Sequence, residues 1–582
     1  MIKFPSLKTL GDSLIETTLR YKEVALIALI KTIIFIMLVE MPHEESAVRN
    51  QLTQLSFIAT LALPLILAIR LSGERHNWKP YVQPALIAST VLVLAVYYWL
   101  MDKTLNQSGA YRFFIFLAGA HLLVSYAPFI GTNDKDGFWQ FNKTLFIQFL
   151  NATLYSATLY VGLLIAVETV KYLFGIESRF FIEIDLFLIV SCFFHTIFFL
   201  SKIPKPDEVH SDYPHGLKVF TQYVLLPLEV VYLVILYAYV GKIVTQWQLP
   251  QGRVAYLVLA FSVAGIFALL LLYPLRQNTE ERWLKIFGRR YYLALLPLIV
   301  LLFTGIFRRI DDYGVTENRY IVAVLALWLS AITFYSLSGK RDDIRWIPIS
   351  LSVLCLLLPI GPWNIFLVSR DSQLKQFEHI LSKNQMLDAS RHLAQKKTVT
   401  VEDRQQLMSI IRFFRDRELP GLEPYFAGVK QGEKRDGQHY SIMENTLDRY
   451  AIAMKTDNEA RYMSFSSQTS RDISGATISG FDRMIFIDGI DNDTISDGKI
   501  EVVKQDSGKV LAIFRGNKQV VTWNVVEKVR ALQAVYGNES VELPQDSLIL
   551  SQANYKMVFR ILSSSNDDDF YGSGVLFYKS NP

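Results

Sequence analysis

At 582 residues, 51% of them hydrophobic and only 19% charged, with a mean hydropathy of +0.24, the chain is too apolar for a wholly soluble protein. Its net charge of +5 is unevenly spread: residues 371–582 hold 27 Lys and Arg against 29 Asp and Glu, so the basic excess, 32 against 25, belongs to the apolar part before residue 371. Two cysteines, Cys192 and Cys355, both inside apolar runs, exclude a disulfide framework and suggest no metal ligation.

The first 21 residues are polar and lack a small-residue cleavage site, so they read as a retained N-terminus rather than a signal peptide. A bilayer core about 30 Å thick takes roughly 20 apolar residues per helical crossing. Eleven such runs follow, near 22–41, 54–71, 81–100, 111–130, 143–172, 183–201, 218–241, 253–275, 291–307, 319–337 and 346–368. Unpaired backbone in lipid is so costly that these runs are expected as helices. The fifth is long enough to tilt or project from the membrane. On it Asn151, Tyr155, Thr158, Gly162 and Thr169 share one face, which predicts a packing seam. Lys31 interrupts the first run.

With the N-terminus inside, the connections carry 20 Lys and Arg on the inner side against 10 on the outer. That bias predicts a cytoplasmic N-terminus, and an odd number of crossings places the tail outside the cytoplasm. The tail begins with two amphipathic helices, over 371–394 (Leu374, Phe377, Leu381) and over 401–418 (Leu407, Ile411, Phe414), the second behind a Thr400 cap. From about 461 the texture changes to short β-branched and aromatic runs, such as 483–487, 499–503 and 555–561, with one helix near 523–536. The expected fold is an α-helical polytopic membrane bundle over 1–370, a helical connector over 371–420 and a smaller, soluble, strand-rich α+β domain over 421–582.

Several short stretches between 219 and 365 stand out: Leu225-Leu-Pro-Leu228, Ile235-Leu-Tyr-Ala-Tyr-Val240, Leu249-Pro-Gln-Gly252, Leu296-Pro-Leu298, Tyr313-Gly-Val-Thr-Glu-Asn-Arg-Tyr320, Ala326-Leu-Trp-Leu329 and Gly361-Pro362. Together they resemble the DUF4153 family of bacterial multi-pass membrane proteins of unknown function, Tyr-Gly-x-Thr-x-x-Arg-Tyr being the most specific element. The resemblance implies a bacterial cytoplasmic (inner) membrane protein and lends no catalytic residue.

Three groups of residues are candidates for function. The first is the polar turn between the ninth and tenth runs, where Arg309, Asp312, Tyr313, Thr316, Arg319 and Tyr320 surround Gly314. Gly314 suits positive φ, and Thr316 and Glu317 suit the start of a helix. Two guanidinium groups there could hold a phosphate or carboxylate of an anionic lipid headgroup or envelope polymer. The plainer reading is an Arg–Asp lattice that locks the hairpin. The second group is intramembrane: Lys31, His121, His195 and Glu229. Lys31 and Glu229 are opposite in sign and similar in depth, which predicts direct contact or a shared polar network. The third is acidic, 488–497 and 566–569, where Asp491 and Asp493 mimic the start of a calcium loop; Ile495 at a ligand position and no Glu at the twelfth place reject an EF-hand. No catalytic, nucleotide-binding or metal motif occurs, and no cofactor or nucleic-acid partner is expected. The readings that remain are a binding, scaffolding or signalling component presenting an extracytoplasmic domain, a permease-like transporter using the bundle core, and a membrane enzyme acting on lipid-linked envelope substrates.

Overall fold

The computed structural model describes residues 15–41, 47–101, 106–175, 181–204, 213–246, 253–277, 282–338, 343–393, 396–426, 437–453, 462–467, 480–488, 495–496, 500–536, 541–543, 545–565 and 569–579. Residues 1–14, part of the N-terminal stretch expected to be retained, lie outside them. The chain forms two compact units, Met1–Met454 and Lys455–Pro582.

All eleven apolar runs form helices, the eleventh, 346–368, being broken by a turn after Leu357. They form α1 (Lys22–Glu40), α2 (Ala47–His76), α3 (Val82–Leu100), α4 (Gln107–Tyr126), α5 (Lys135–Phe174), α6 (Ile182–Ser201), α7 (His215–Gln246), α8 (Arg253–Leu271), α9 (Arg282–Tyr313), α10 (Glu317–Leu337) and α11 (Trp346–Leu357). Among the described residues, nine of these are long and apolar enough to cross a membrane; α1 and α11 are not among them. A membrane explains a surface that water would not tolerate. In α3 only Leu94 is buried, while Leu92, Val93 and Trp99 are exposed.

Side-chain bonds sort the connections to two ends of the bundle. At one end Arg20 donates to Glu74 (2.7 Å) and to the Ile203 carbonyl (2.9 Å), and Arg75 pairs with Asp134 (2.6 Å). Arg345 there donates to the Thr132 carbonyl and pairs with Asp343, whose carboxyl it holds below the usual carboxylate range. At the other end the Tyr111 hydroxyl donates to Asn318 (3.0 Å) and the Gln107 amide to the Asp416 carbonyl (3.0 Å).

α11 has only 12 residues, about 18 Å of helix. It nevertheless runs antiparallel to α4 from one end to the other. Arg345 at its start meets Thr132, and Ser352 at its middle donates to the Gly119 carbonyl (2.9 Å). Ile365 and Phe366, beyond it, pack with Tyr111 and Ile115. Gly119 lets the helices approach closely, since a Cβ there would stand 3.1 Å from that of Cys355. The turn 358–364 completes the traverse.

The expected seam on α5 is not where this helix packs. Tyr155, Thr158, Gly162 and Thr169 are exposed, and Trp139, Ala152 and Ser156 are buried instead. Ala152 and Ser156 lie about 120° round the helix from the expected face, and apolar residues on both sides give periodicity no preference. Two π-helical turns, Ile189–Phe194 and Phe220–Leu225, precede His195 and Glu229.

Beyond the bundle, α12 (Ile365–Lys383), α13 (Val401–Arg415) and α14 (Gly437–Tyr450) close around Phe377, Ile380, Leu407, Ile411, Phe414 and Leu447, with a parallel pair β1 (Lys397–Val399) and β2 (Ala451–Ala453) beside them. Thr400 caps α13 as expected, its hydroxyl accepting from the Asp403 amide at 3.1 Å. This helical part belongs to the first unit and reaches past 421, because Met443 and Leu447 of α14 fill the same core.

The second unit is strand-rich. β3 (Tyr462–Ser467), β4 (Arg483–Asp488), β9 (Val541–Leu543), β10 (Ile549–Gln552), β11 (Tyr555–Ser565) and β12 (Asp569–Tyr578) form a mixed sheet in the order β4-β12-β11-β3-β9, with β10 also on β11. β5 (Ile495–Ser496), β6 (Glu501–Gln505), β7 (Val510–Arg515) and β8 (Lys518–Asn524) form an antiparallel one. Their alternating apolar residues, among them Val502, Leu511, Trp523, Phe559 and Leu576, share one core with α15 (Val525–Tyr536).

Candidate functional site

The polar turn is built by two parts of the chain. α9 ends at Tyr313, Gly314 takes φ +71°, and α10 begins at Glu317. The turn's backbone would be unsatisfied at this sharp reversal, and side chains from α12 and α13 complete it. Ser372 accepts from the Val315 amide (2.8 Å), and Gln373 donates to the carbonyls of Tyr313 (3.0 Å) and Val315 (2.9 Å). Gln406 donates to the Asp312 carbonyl (3.2 Å). Thr316 holds the N-cap position of α10, but its hydroxyl makes no capping bond.

The charges do not form the expected Arg–Asp lattice. Arg308 approaches Asp312, at 3.7 Å. Glu317 instead takes Arg417 from beyond α13, at 2.7 and 3.0 Å. Arg309 and Arg319 therefore have no carboxylate within 4.0 Å among the described residues. Both guanidinium groups lie against the Tyr313 ring, 5.8 and 5.5 Å from its centroid. Arg319 commits Nη1 to the carbonyls of Tyr313 (3.0 Å) and Gly314 (2.6 Å), leaving Nε and Nη2 for other partners.

A cleft of about 280 Å³ opens beside this arginine, lined by Tyr313, Thr316 and Arg319 on the bundle side and by Glu402, Gln405 and Ser409 on α13. Of the six turn residues singled out from the sequence, the structure brings Tyr313, Thr316 and Arg319 into the cleft, with Arg309 adjoining through the Tyr313 ring. Asp312 turns to Arg308, and the Tyr320 hydroxyl donates to the Trp363 carbonyl (3.0 Å). The α13 wall was not anticipated. Its signal is the polar stripe at 402, 405 and 409, on the face opposite Leu407, Ile411 and Phe414.

The four intramembrane residues do not gather into one site, although Lys31 and His195 stand near each other on the packed helices α1 and α6. The His121 ring bonds its own helix at the Leu117 carbonyl (2.8 Å), and His195 meets the Thr153 hydroxyl (3.2 Å). Glu229 is 5% exposed, and its Oε2 has no hydrogen-bond partner among the described residues. Lys31 and Glu229 are not joined by any ion pair or hydrogen bond among those residues, which corrects the expected contact. α1 packs on α2 and α6, whereas Glu229 lies on α7, which packs on α8 and α9. Equal depth does not make helices neighbours. Asp491, Asp493 and residues 566–568 of the acidic group lie outside the described residues.

A family profile described as "Domain of unknown function (DUF4153)" matches residues 25–392, well over half of the chain. The chain belongs to the DUF4153 family. The matched segment of this family member contains the whole bundle from α2 to α11, the turn and the Ser372 and Gln373 that clamp it; α13 lies beyond it. An uncharacterized protein of Pasteurella multocida is 25% identical over 327 residues, 55% of this chain and 54% of that protein. The chain thus spans about half the length of the curated relative it matches. No solved structure matches.

Proposed function

We propose that this DUF4153 protein is an anion-binding component of the bacterial cytoplasmic membrane, crossing it eleven times with its N-terminus in the cytoplasm and its connector and C-terminal unit outside. The observation that carries the binding reading is the placement of Arg309 and Arg319 against one tyrosine ring without a carboxylate partner. Two like charges held close together are costly unless an anion answers them, and planar guanidinium groups suit phosphate or carboxylate oxygens. The ligand would be an anionic group of a lipid or envelope polymer. The orientation rests on the 20-to-10 Lys and Arg bias, and the Arg20, Arg75 and Arg345 network lies at the end assigned to the cytoplasm.

Native mass spectrometry of the full chain in mild detergent tests the binding reading. Wild type should retain phosphate-bearing lipid in fixed stoichiometry, and the Arg309→Lys, Arg319→Lys double variant should lose it while keeping its helical content. Equal retention by both would overturn it.

A further inference from the structure

The far wall of the cleft narrows the ligand class, an inference that rests on the anion-binding reading above. Glu402 is an exposed first-turn residue of α13 with no Lys, Arg or His within 4.0 Å among the described residues. Cations close to it in sequence or space are engaged elsewhere: Lys383 pairs with Asp403 (3.0 Å) and Arg404 with Asp448 (2.8 Å). Glu402 and Arg319 thus line one cleft with opposite charges, do not pair with each other, and share its lining with the polar side chains of Thr316, Gln405 and Ser409. Thr316 leaves its helix uncapped by its side chain, so its hydroxyl remains available at the cleft. A simple anion would answer Arg319 and be repelled by Glu402. A group carrying phosphate and a primary ammonium a few atoms apart answers both.

We propose that the cleft binds a phosphoethanolamine group, its phosphate on Nε and Nη2 of Arg319 and its ammonium on the Glu402 carboxylate. A primary ammonium donates hydrogen bonds to a carboxylate, whereas a quaternary one cannot. A glycerol headgroup offers no cation at all.

The full chain in detergent is titrated with short-chain phospholipids bearing ethanolamine, choline or glycerol headgroups, and separately with free O-phosphoethanolamine. The ethanolamine lipid should bind about tenfold tighter than the other two, the worth of one charge-assisted hydrogen bond. Glu402→Gln should erase that preference while leaving glycerol-lipid binding equal or stronger, and Arg319→Lys should weaken all three. Free phosphoethanolamine competing as well as the lipid supports the chemistry and assigns it to a soluble or polymer-borne source; failure to compete assigns it to the lipid. Headgroup preference that is absent, or that survives Glu402→Gln, overturns this inference while Arg319-dependent anion binding stands. Binding of every lipid indifferent to Arg319→Lys overturns the anion reading itself. Thermal unfolding of Glu402→Gln, an exposed position, checks that the variant is folded.

Discussion

Arg417 and Glu317, one hundred positions apart, form a bidentate ion pair at 2.7 and 3.0 Å with side chains 8% and 1% exposed. The guanidinium also stacks on Phe413, 3.9 Å from its centroid, and donates to the Phe413 carbonyl (3.1 Å). This pair joins the end of α13 to the first turn of α10, so the cleft wall on α13 is held in register with Arg319, two residues beyond Glu317.

Breaking that pair from one side should be severe. Arg417→Ala or Glu317→Ala leaves a buried charge unanswered, a loss of about 3–5 kcal/mol. The double variant should lose clearly less than the sum of the two, because neither charge then remains. Thermal unfolding in detergent measures it, and strict additivity would show that the two groups do not act as a pair.

Gly314→Ala should destabilise the turn by about 1–2 kcal/mol, the cost of left-handed backbone in a residue with a Cβ. The new atom would also stand 2.9 Å from Gln373 Nε2, which clamps the turn at the Tyr313 and Val315 carbonyls. Limited proteolysis of α12 and α13 should speed up; unchanged protection would refute the clamp.

Arg319→Lys should separate binding from stability. An ammonium can still donate to the Tyr313 and Gly314 carbonyls, so the unfolding temperature should shift little, a change of under about 1 kcal/mol. The planar donor pair is lost, and complementation of a deletion strain should fail. A stable variant that complements fully would leave the motif a hairpin lock.

Acid should loosen the connector. Burial alone would raise the Asp403 carboxyl, but hydrogen bonds from Asn384 (3.0 Å) and Lys383 (3.0 Å), the Lys383 charge and Thr400 outweigh it and hold it below the usual 3.8. With the folded value depressed, its stabilisation is complete above the ordinary carboxylate range and is lost as pH falls through the lower folded value. Hydrogen exchange of α12 and α13 should accelerate below about pH 4, and Asp403→Asn should flatten that step while lowering protection at pH 7.

Reporter fusions after Ser338 and after Lys579 test orientation. A cytoplasm-dependent reporter should be active at Ser338 and silent at Lys579. The reverse pattern would invert the assignment, and equal activity at both would mean that α11 does not cross.

Much of the architecture was legible along the chain because it is local. An apolar run of about 20 residues meets its own backbone hydrogen bonds only as a helix in lipid, so all eleven runs became helices wherever their neighbours lay. Gly314 in positive φ, the Thr400 cap and the strands around 483–488 and 555–565 likewise depend on a few adjacent residues. Pairing obeyed no such local rule. Lys31 and Glu229 are similar in depth and opposite in sign yet stand on helices that pack with different partners, and α5 buried Ala152 and Ser156 rather than the face of Thr158 and Gly162. Arg417 reaching Glu317, which freed Arg319 from the carboxylate nearest it in sequence, and Glu402 lining one cleft with that arginine both required α12 and α13 to fold back onto the bundle. Hydropathy sets how deep a residue sits, but which side chain it meets depends on the order in which helices pack around one another, and that order is a property of the tertiary structure alone.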